Sequence, residues 1–187
     1  PITEEVEIKI PAFRVVPVFD VSQTDGKELP DIGVNELSGS VEDYEDFMQA
    51  LTEVSPVPIT YEDIEGEAKG YFHTTDHRIA IQEGMSQSQT VKTAIHEVAH
   101  AKLHDREQNQ DIDAVLDKDR NTKEVEAESV AYTVCQHFGI DTSDYSFGYI
   151  AGWSSDRDMK ELKSSLDIIR KTASELITGI EDRLAEL

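Results

Sequence analysis

The stretch that decides the fold is His96-Glu97-Val98-Ala99-His100. Residues four apart on a helix lie on one face, so the two imidazoles can converge on a single ion. Two histidines at this spacing are typical Zn²⁺ ligands, and a glutamate directly after the first can take a proton from a water molecule on the metal. The pentapeptide therefore predicts His96 and His100 as metal ligands and Glu97 as the general base.

The residues around the pentapeptide predict a helix that starts at Ser86 or Ser88 and ends at about Leu103. Small and apolar residues recur along one broad face of this helix. His96 and His100 lie nearly opposite that face, where they could line a cleft.

A hydrolytic zinc site takes three protein ligands and leaves the fourth position to water. His104 lies about 12 Å along the helix axis from His96, too far for both to join one tetrahedral site with His100. A metzincin would need a histidine at position 106, which is Arg106. The third ligand is therefore expected elsewhere in the chain.

The next predicted helix, Lys123 to Phe138, offers Glu124, Glu126 and Glu128. We expect Thr122 to cap this helix and Gly139 to end it. Glu126 points about 200° away from each of the other two carboxylates, so only one face of the helix can point at the metal. Helical geometry alone leaves the choice of face open.

The charge of the chain limits its partners. Its 187 residues include 17 basic and 39 acidic side chains, for a net charge of −22. Such a surface should repel nucleic acid and anionic membranes, while a metal ion in this negative field suits basic substrates. Since the single cysteine, Cys135, permits no internal disulfide and no apolar run approaches a membrane span of about 20 residues, we expect a cytoplasmic protein without membrane partners. The chain begins at Pro1, so we expect a fragment of a longer protein.

The remaining pattern predicts an α+β fold. We expect a helix over Val41 to Val54, a strand over Val57 to Ile64 and a hairpin of Gly70 to Phe72 with Arg78 to Gln82. A small, mostly antiparallel sheet would then lie over the two metal-carrying helices, and the strand Arg78 to Gln82 would offer its edge to an extended peptide. The last segment, Asp156 to Leu187, predicts one or two amphipathic helices.

Three blocks, Thr93–His104, Glu124–Tyr132 and Ser146–Ala151, together resemble the C-terminal zincin domain of ArdC-type antirestriction proteins of mobile elements. The opening Pro17–Thr24 fits that family's approach to its peptidase domain. The resemblance implies a zincin-like metallopeptidase domain, which we expect over residues 41–155. We expect an extended arm and loop over 1–40 before it and a packed helical extension over 156–187 after it, which the three blocks do not cover. The resemblance also implies single-stranded DNA binding by an N-terminal domain that these residues do not include, so no nucleic acid is expected to bind here.

The chain is more distantly similar to ImmA/IrrE-type metallo-endopeptidases, whose third zinc ligand is the glutamate immediately before an alanine in the second helix. This implies Glu126, which precedes Ala127, as the third ligand of Zn²⁺ beside His96 and His100. In some glutamate zincins the position four residues later is acidic and orients a histidine. Here it is Val130, so that role stays unassigned.

Several side chains are candidates to stabilise the oxyanion of a tetrahedral intermediate: Tyr149 first, then Tyr132, His73 and His77. For His137 and Cys135 we expect packing roles.

The sequence thus predicts a zinc metallopeptidase that hydrolyses peptide bonds. The alternative is a non-catalytic, acidic zinc-binding interaction module or a DNA-mimic decoy. Such a decoy has no need of Glu97, so its presence favours the enzyme.

Overall fold

The computed structural model describes residues 37–105, 118–142 and 159–187, all within one compact unit, residues 33–187. The predicted arm up to residue 36, the Ser146–Ala151 block with Tyr149, and Arg106 lie outside the described residues. The domain boundaries at 40 and 155 therefore stay predictions. The described elements are α1 (Tyr44–Val54), β1 (Ile59–Glu62), β2 (Gly70–His73), β3 (Arg78–Gln82), α2 (Gln87–His104), α3 (Arg120–His137) and α4 (Met159–Leu184).

The three strands form one sheet in the order β1-β3-β2. β2 and β3 make the predicted antiparallel hairpin, with Phe72 opposite Ile79, whereas β1 runs parallel to β3 with Ile59 opposite Ile79. The α+β class and the small sheet are confirmed, although one of the two described pairings is parallel. Because β3 is paired on both sides, it cannot offer an edge to a peptide, which differs from the prediction for Arg78 to Gln82.

The two helices of the predicted site begin at side-chain caps and have well-defined ends. The backbone N–H of Gln89 donates to Ser86 Oγ (3.2 Å), which starts α2 at the expected place. α3 begins three residues before the predicted start, because Asp119 rather than Thr122 is its cap, accepting from the Thr122 N–H at 2.7 Å. Gly139, with φ of 73°, ends α3 as predicted, since this left-handed conformation favours glycine.

The core lies where the four helices meet the inner face of the sheet. Its largest fully buried apolar side chains are Leu51, Ile79, Ile81, Ile95, Leu176 and Ile180. α2 packs on α3 and on the sheet, so the helix with the two histidines is held on both sides. This packing fixes the orientation of the face that carries His96 and His100.

The predicted C-terminal helical segment is a single described helix, α4, packed on α1 and α3. Ile169, Ala173, Leu176 and Ile180 of this amphipathic helix are buried, whereas Leu166 is 53% exposed. Neither α4 nor any other helix within the described ranges is both long and apolar enough to cross a membrane.

Candidate metal centre

His96 and His100 on α2 and Glu124 on α3 bring three metal-binding atoms together. The Nε2 atoms of the two histidines are 3.1 Å apart, and Glu124 Oε2 lies 3.6 Å from each. Helix geometry sets the first distance, because the histidines are one turn apart. The packing of α2 against α3 sets the other two.

This donor set fits a divalent metal ion. A point in the plane of the three atoms and equidistant from them lies about 2.0 Å from each, close to the usual Zn–N and Zn–O bond lengths of about 2.0–2.2 Å. Two imidazoles and a carboxylate suit Zn²⁺, and also other first-row cations such as Mn²⁺. The three protein donors leave further coordination positions for water or substrate.

The structure differs from the sequence prediction at Glu126. This fully buried carboxylate accepts hydrogen bonds from His104 Nε2 (3.0 Å), Lys118 Nζ (2.8 Å) and Ser165 Oγ (2.8 Å), and it does not join the two ligand histidines. The reason is the angle of about 200° between neighbouring glutamates on the helix. The face that carries Glu124 turns toward His96 and His100, so Glu126 points to the other side.

Glu128 lies on the same face as Glu124, one turn further along α3. Its Oε2 accepts from His96 Nδ1 at 3.1 Å and from Lys92 Nζ at 2.7 Å, and both glutamate and lysine are buried. With Glu124 as the third ligand, the acidic position four residues later is Glu128. In that arrangement Glu128 would take the role left unassigned with Val130, because an Nδ1–H donor to a carboxylate fixes the imidazole with its Nε2 free for a metal.

The carboxylates shift the ionisation of the histidine face. Burial lowers the pKa of His96, but hydrogen bonds to Glu124 and Glu128 outweigh burial and raise it to about 9. Hydrogen bonds from His100 and His96 hold the pKa of Glu124 well below its usual range. A cation binding at His96 Nε2 must therefore displace a proton.

Glu97 has the environment of a general base. It is 8% exposed and lines the cleft that contains the two histidines and Glu124. Burial raises the pKa of its carboxyl, which brings it closer to the range in which a group can both accept and return a proton. Its methylene Cγ would lie only 3.3 Å from a Cβ placed on Gly70, so a glycine lets β2 approach this side chain.

The cleft has a volume of about 560 Å³ and lies between β2 and the facing sides of α2 and α3. Among the described residues that line it, four are cationic and four are acidic: Lys69, Lys92, Arg120 and Lys123, with Glu67, Glu97, Glu124 and Glu128. The whole chain has 17 basic against 39 acidic residues, so the described part of the cleft lining is far less negative than the chain as a whole. The expectation of basic substrates stays a prediction.

The three oxyanion candidates that the structure describes, His73, His77 and Tyr132, do not line the cleft. His73 lies 3.3 Å from Asp76, and His77 lies 3.2 Å from Asp105. Tyr149 is outside the described residues.

Tyr71 does line the cleft, which the sequence analysis missed. Its hydroxyl donates to Glu62 and accepts from Arg78 at 3.3 Å. The sequence feature that could have pointed to Tyr71 is its position on the hairpin strand next to Gly70.

The two side chains of α3 expected to pack differ in exposure. Cys135 is fully buried in the core, whereas His137 is half-exposed and pairs with Glu181 at 2.8 Å.

Residues 52–143, which include both helices of the site, match the peptidase M78 family, described as the IrrE N-terminal-like domain. The predicted similarity to ImmA/IrrE-type proteins is thereby confirmed. The chain is also 39% identical over 103 residues to an uncharacterized protein of Bacillus anthracis, covering 54% of this chain and 16% of that protein.

Two crystal structures of the antirestriction protein ArdC from plasmid R388 are similar, one metal-free and one with bound Mn(II). Each is 22% identical, with TM-scores of 0.46 and 0.45, and the matches cover 90% of this chain. The chain spans 58% and 60% of the length of those two proteins.

Proposed function

We propose that this domain is a metal-dependent peptidase in which His96, His100 and Glu124 hold a divalent cation, preferably Zn²⁺, and Glu97 is the general base. The observation that supports this most strongly is the convergence of three donor atoms beside a buried glutamate in one cleft. When bound, the cation would lower the pKa of water and polarise a peptide carbonyl.

The protein's own residues have defined tasks in this proposal. Glu97 takes a proton from the attacking water and returns it to the leaving amine, for which its raised pKa is suited. Glu128 fixes the His96 ring, and Lys92 balances the charge of Glu128 inside the domain. Burial of this pair keeps the ring orientation rigid before any ligand arrives.

The substrate is proposed to be an extended peptide that runs along β2. β2 lines the cleft, and within the described residues no strand pairs with its outer edge. A peptide added there would use main-chain hydrogen bonds. The cleft cations Lys69, Arg120 and Lys123 would favour acidic side chains near the scissile bond, while the −22 charge elsewhere would repel acidic peptides that bind outside the cleft.

The test separates metal binding from chemistry. Metal content after dialysis against Zn²⁺ or Mn²⁺ is measured for wild type, Glu124→Gln and Glu97→Gln, together with cleavage of a peptide library read by mass spectrometry. We expect Glu124→Gln to lose metal, and Glu97→Gln to keep metal but lose cleavage by about 10²-fold or more. Stoichiometric metal in Glu124→Gln would overturn the ligand set, and unchanged cleavage in Glu97→Gln would overturn the mechanism.

A second candidate function is a non-catalytic, acidic zinc-binding module or DNA-mimic decoy, favoured by the net charge of −22. Because three sequence blocks resemble ArdC-type proteins, we propose that either function serves an antirestriction role within a longer protein. Entry of unmodified plasmid into a restricting host distinguishes the two. Protection that survives Glu97→Gln supports the decoy, and protection lost with an intact metal site supports the peptidase.

A further inference from the structure

We infer that His104, Glu126 and Ser165 form a positioning chain behind the metal ligand His100, so that the C-terminal helix α4 contributes to the metal centre. This inference rests on the proposed metal site. It gives a role to the histidine that is too far along α2 to be a ligand and to the glutamate that faces away from the cation.

The ring of His104 lies directly behind the ring of His100. Their Nδ1 atoms are 3.0 Å apart, while His100 Nε2 faces His96 and Glu124. A histidine that binds metal through Nε2 carries its proton on Nδ1, so His100 donates and His104 Nδ1 must accept. His104 then carries its own proton on Nε2.

That proton has a matching acceptor, because His104 Nε2 lies 3.0 Å from Glu126 Oε2. The distances therefore define one direction of donation, from His100 through His104 to Glu126. His104 can accept from His100 only as the neutral imidazole. The ring of His96 is oriented directly by a carboxylate, because its Nδ1 lies 3.1 Å from Glu128 Oε2.

Glu126 is a buried carboxylate held in place from three elements. In addition to His104 on α2, Lys118 Nζ donates to Oε2 and Ser165 Oγ donates to Oε1, each at 2.8 Å. These three donors converge on the two carboxylate oxygens, so Glu126 serves as the hydrogen-bond acceptor for His104. Because its oxygens are held from several sides, Glu126 fixes the direction in which the His104 ring points.

Ser165 connects this chain to α4, which lies beyond the family-matched residues 52–143. It is 2% exposed, and its neighbour Ser164 is exposed. Ser165 is buried and Ser164 is exposed, so replacing Ser164 is a matched control for replacing Ser165. A direct role of α4 near the ligands is not implied by the family match, since that match ends before the helix.

The first experiment replaces His104 in the 187-residue chain and measures Zn²⁺ affinity by competition with a chromophoric chelator. Loss of a partner that orients a metal ligand typically costs about 10- to 100-fold in affinity. We expect that loss in His104→Leu and in His104→Gln, whose amide can still reach Glu126. His104→Asn keeps an acceptor near the Nδ1 position but loses the donor to Glu126, so it should recover only part of the affinity.

A purely structural role predicts a different result. It would lower the stability of the metal-free protein equally in the Asn and Gln variants and leave the affinity of each folded variant unchanged. The absorption spectrum of bound Co²⁺ adds a second readout, because a tilted His100 ring changes the coordination geometry. Equal Zn²⁺ affinity in wild type, His104→Asn and His104→Gln, with identical Co²⁺ spectra, would overturn the inference.

The second experiment tests α4 and remains informative if the His104 variants do not fold. Ser165→Ala removes one donor to a charged acceptor, for which we expect about three- to tenfold weaker Zn²⁺ binding, while Ser164→Ala should match wild type. Equal affinities in both serine variants would overturn the contribution of α4. If wild type itself takes up neither Zn²⁺ nor Co²⁺, the proposed metal site fails, and the inference fails with it. Retained wild-type binding with unaffected variants rejects the inference alone.

Discussion

The close approach of β2 to α2 leads to a prediction for Gly70→Ala. A Cβ at this position would lie 2.7 Å from Thr93 Cγ2, 3.0 Å from the carbonyl oxygen of Ala80 and 3.3 Å from Glu97 Cγ. Carbon atoms in contact normally stay about 3.5–4.0 Å apart, so the strand or the Thr93 side chain has to move by about 1 Å. Gly70 thus lets β2 approach α2 more closely than a residue with a Cβ would allow.

The expected cost follows from what has to move. Insertion of a methyl group into a packed core costs about 1–3 kcal/mol. Rotation of Thr93 away from the clash would also break its buried hydrogen bond with Gln89 Nε2 (3.1 Å), worth about 1 kcal/mol. We expect Gly70→Ala to lower the free energy of unfolding by about 2–3 kcal/mol, or the melting temperature by roughly 4–12 °C.

The assay is urea unfolding monitored by circular dichroism, applied to a double-mutant cycle of Gly70→Ala and Thr93→Ser. Because serine lacks the clashing methyl, Gly70→Ala should cost at least about 1 kcal/mol less in the Thr93→Ser background. The peptidase activity proposed above should fall as well, because Glu97 has to shift. An equal loss of stability in both backgrounds, or no loss within about 0.5 kcal/mol in either, would refute the steric reasoning.

Four further outcomes are expected. Gly139→Ala should lower the free energy of unfolding by about 1 kcal/mol in urea titrations, because the left-handed φ of 73° disfavours a Cβ, and Gly139→Asn should cost less. Complete burial raises the pKa of the Cys135 thiol to about 12, so alkylation of the native protein should stay slow from pH 7 to 10. The urea-unfolded chain has an ordinary thiol and should react rapidly above pH 8. Equal alkylation rates for both forms would contradict this. Arg120→Glu with Lys123→Glu should shift cleavage of a peptide library away from acidic flanking residues, measured as the ratio of kcat/KM between acidic and basic peptides, and an unchanged ratio would argue against a role for the cleft charges. Zn²⁺ at 100 times Kd should stabilise wild type by about 2.7 kcal/mol, which is measured as a rise in melting temperature. EDTA should reverse this rise, and an unchanged melting temperature would contradict specific binding.

The sequence predicted those parts of the fold that depend on local signals. Ser86 stands before a regular apolar pattern, and Gly139 follows one, so both helix ends could be read from neighbouring residues. The hairpin of β2 and β3 was likewise visible as two short strands around a turn. The order of the strands in the sheet could not be predicted, because no local pattern shows that β1 pairs with β3 in parallel and makes β3 central.

The candidate site was predictable only up to the choice of helix face. The spacing of His96 and His100 indicated the first two donors, and the acidic α3 indicated where the third would come from. Choosing between Glu124 and Glu126 requires the packing angle of α2 on α3, which comes from distant contacts. The family resemblance pointed to Glu126, but this carboxylate is occupied by Ser165, on a helix whose docking no local pattern reveals.

The three donors come from α2 and α3, which are separated along the chain, and this has a consequence for the order of folding. His96 and Glu124 are 28 positions apart, and closing a segment of that size costs about 3 kcal/mol in chain entropy plus a constant. A bound cation would offset part of this cost as soon as the helix pair forms. Ser165 lies further toward the C terminus, and chains are synthesised from the N terminus. In the growing chain, the donor set is therefore complete before the residue that supports it from α4 has been made.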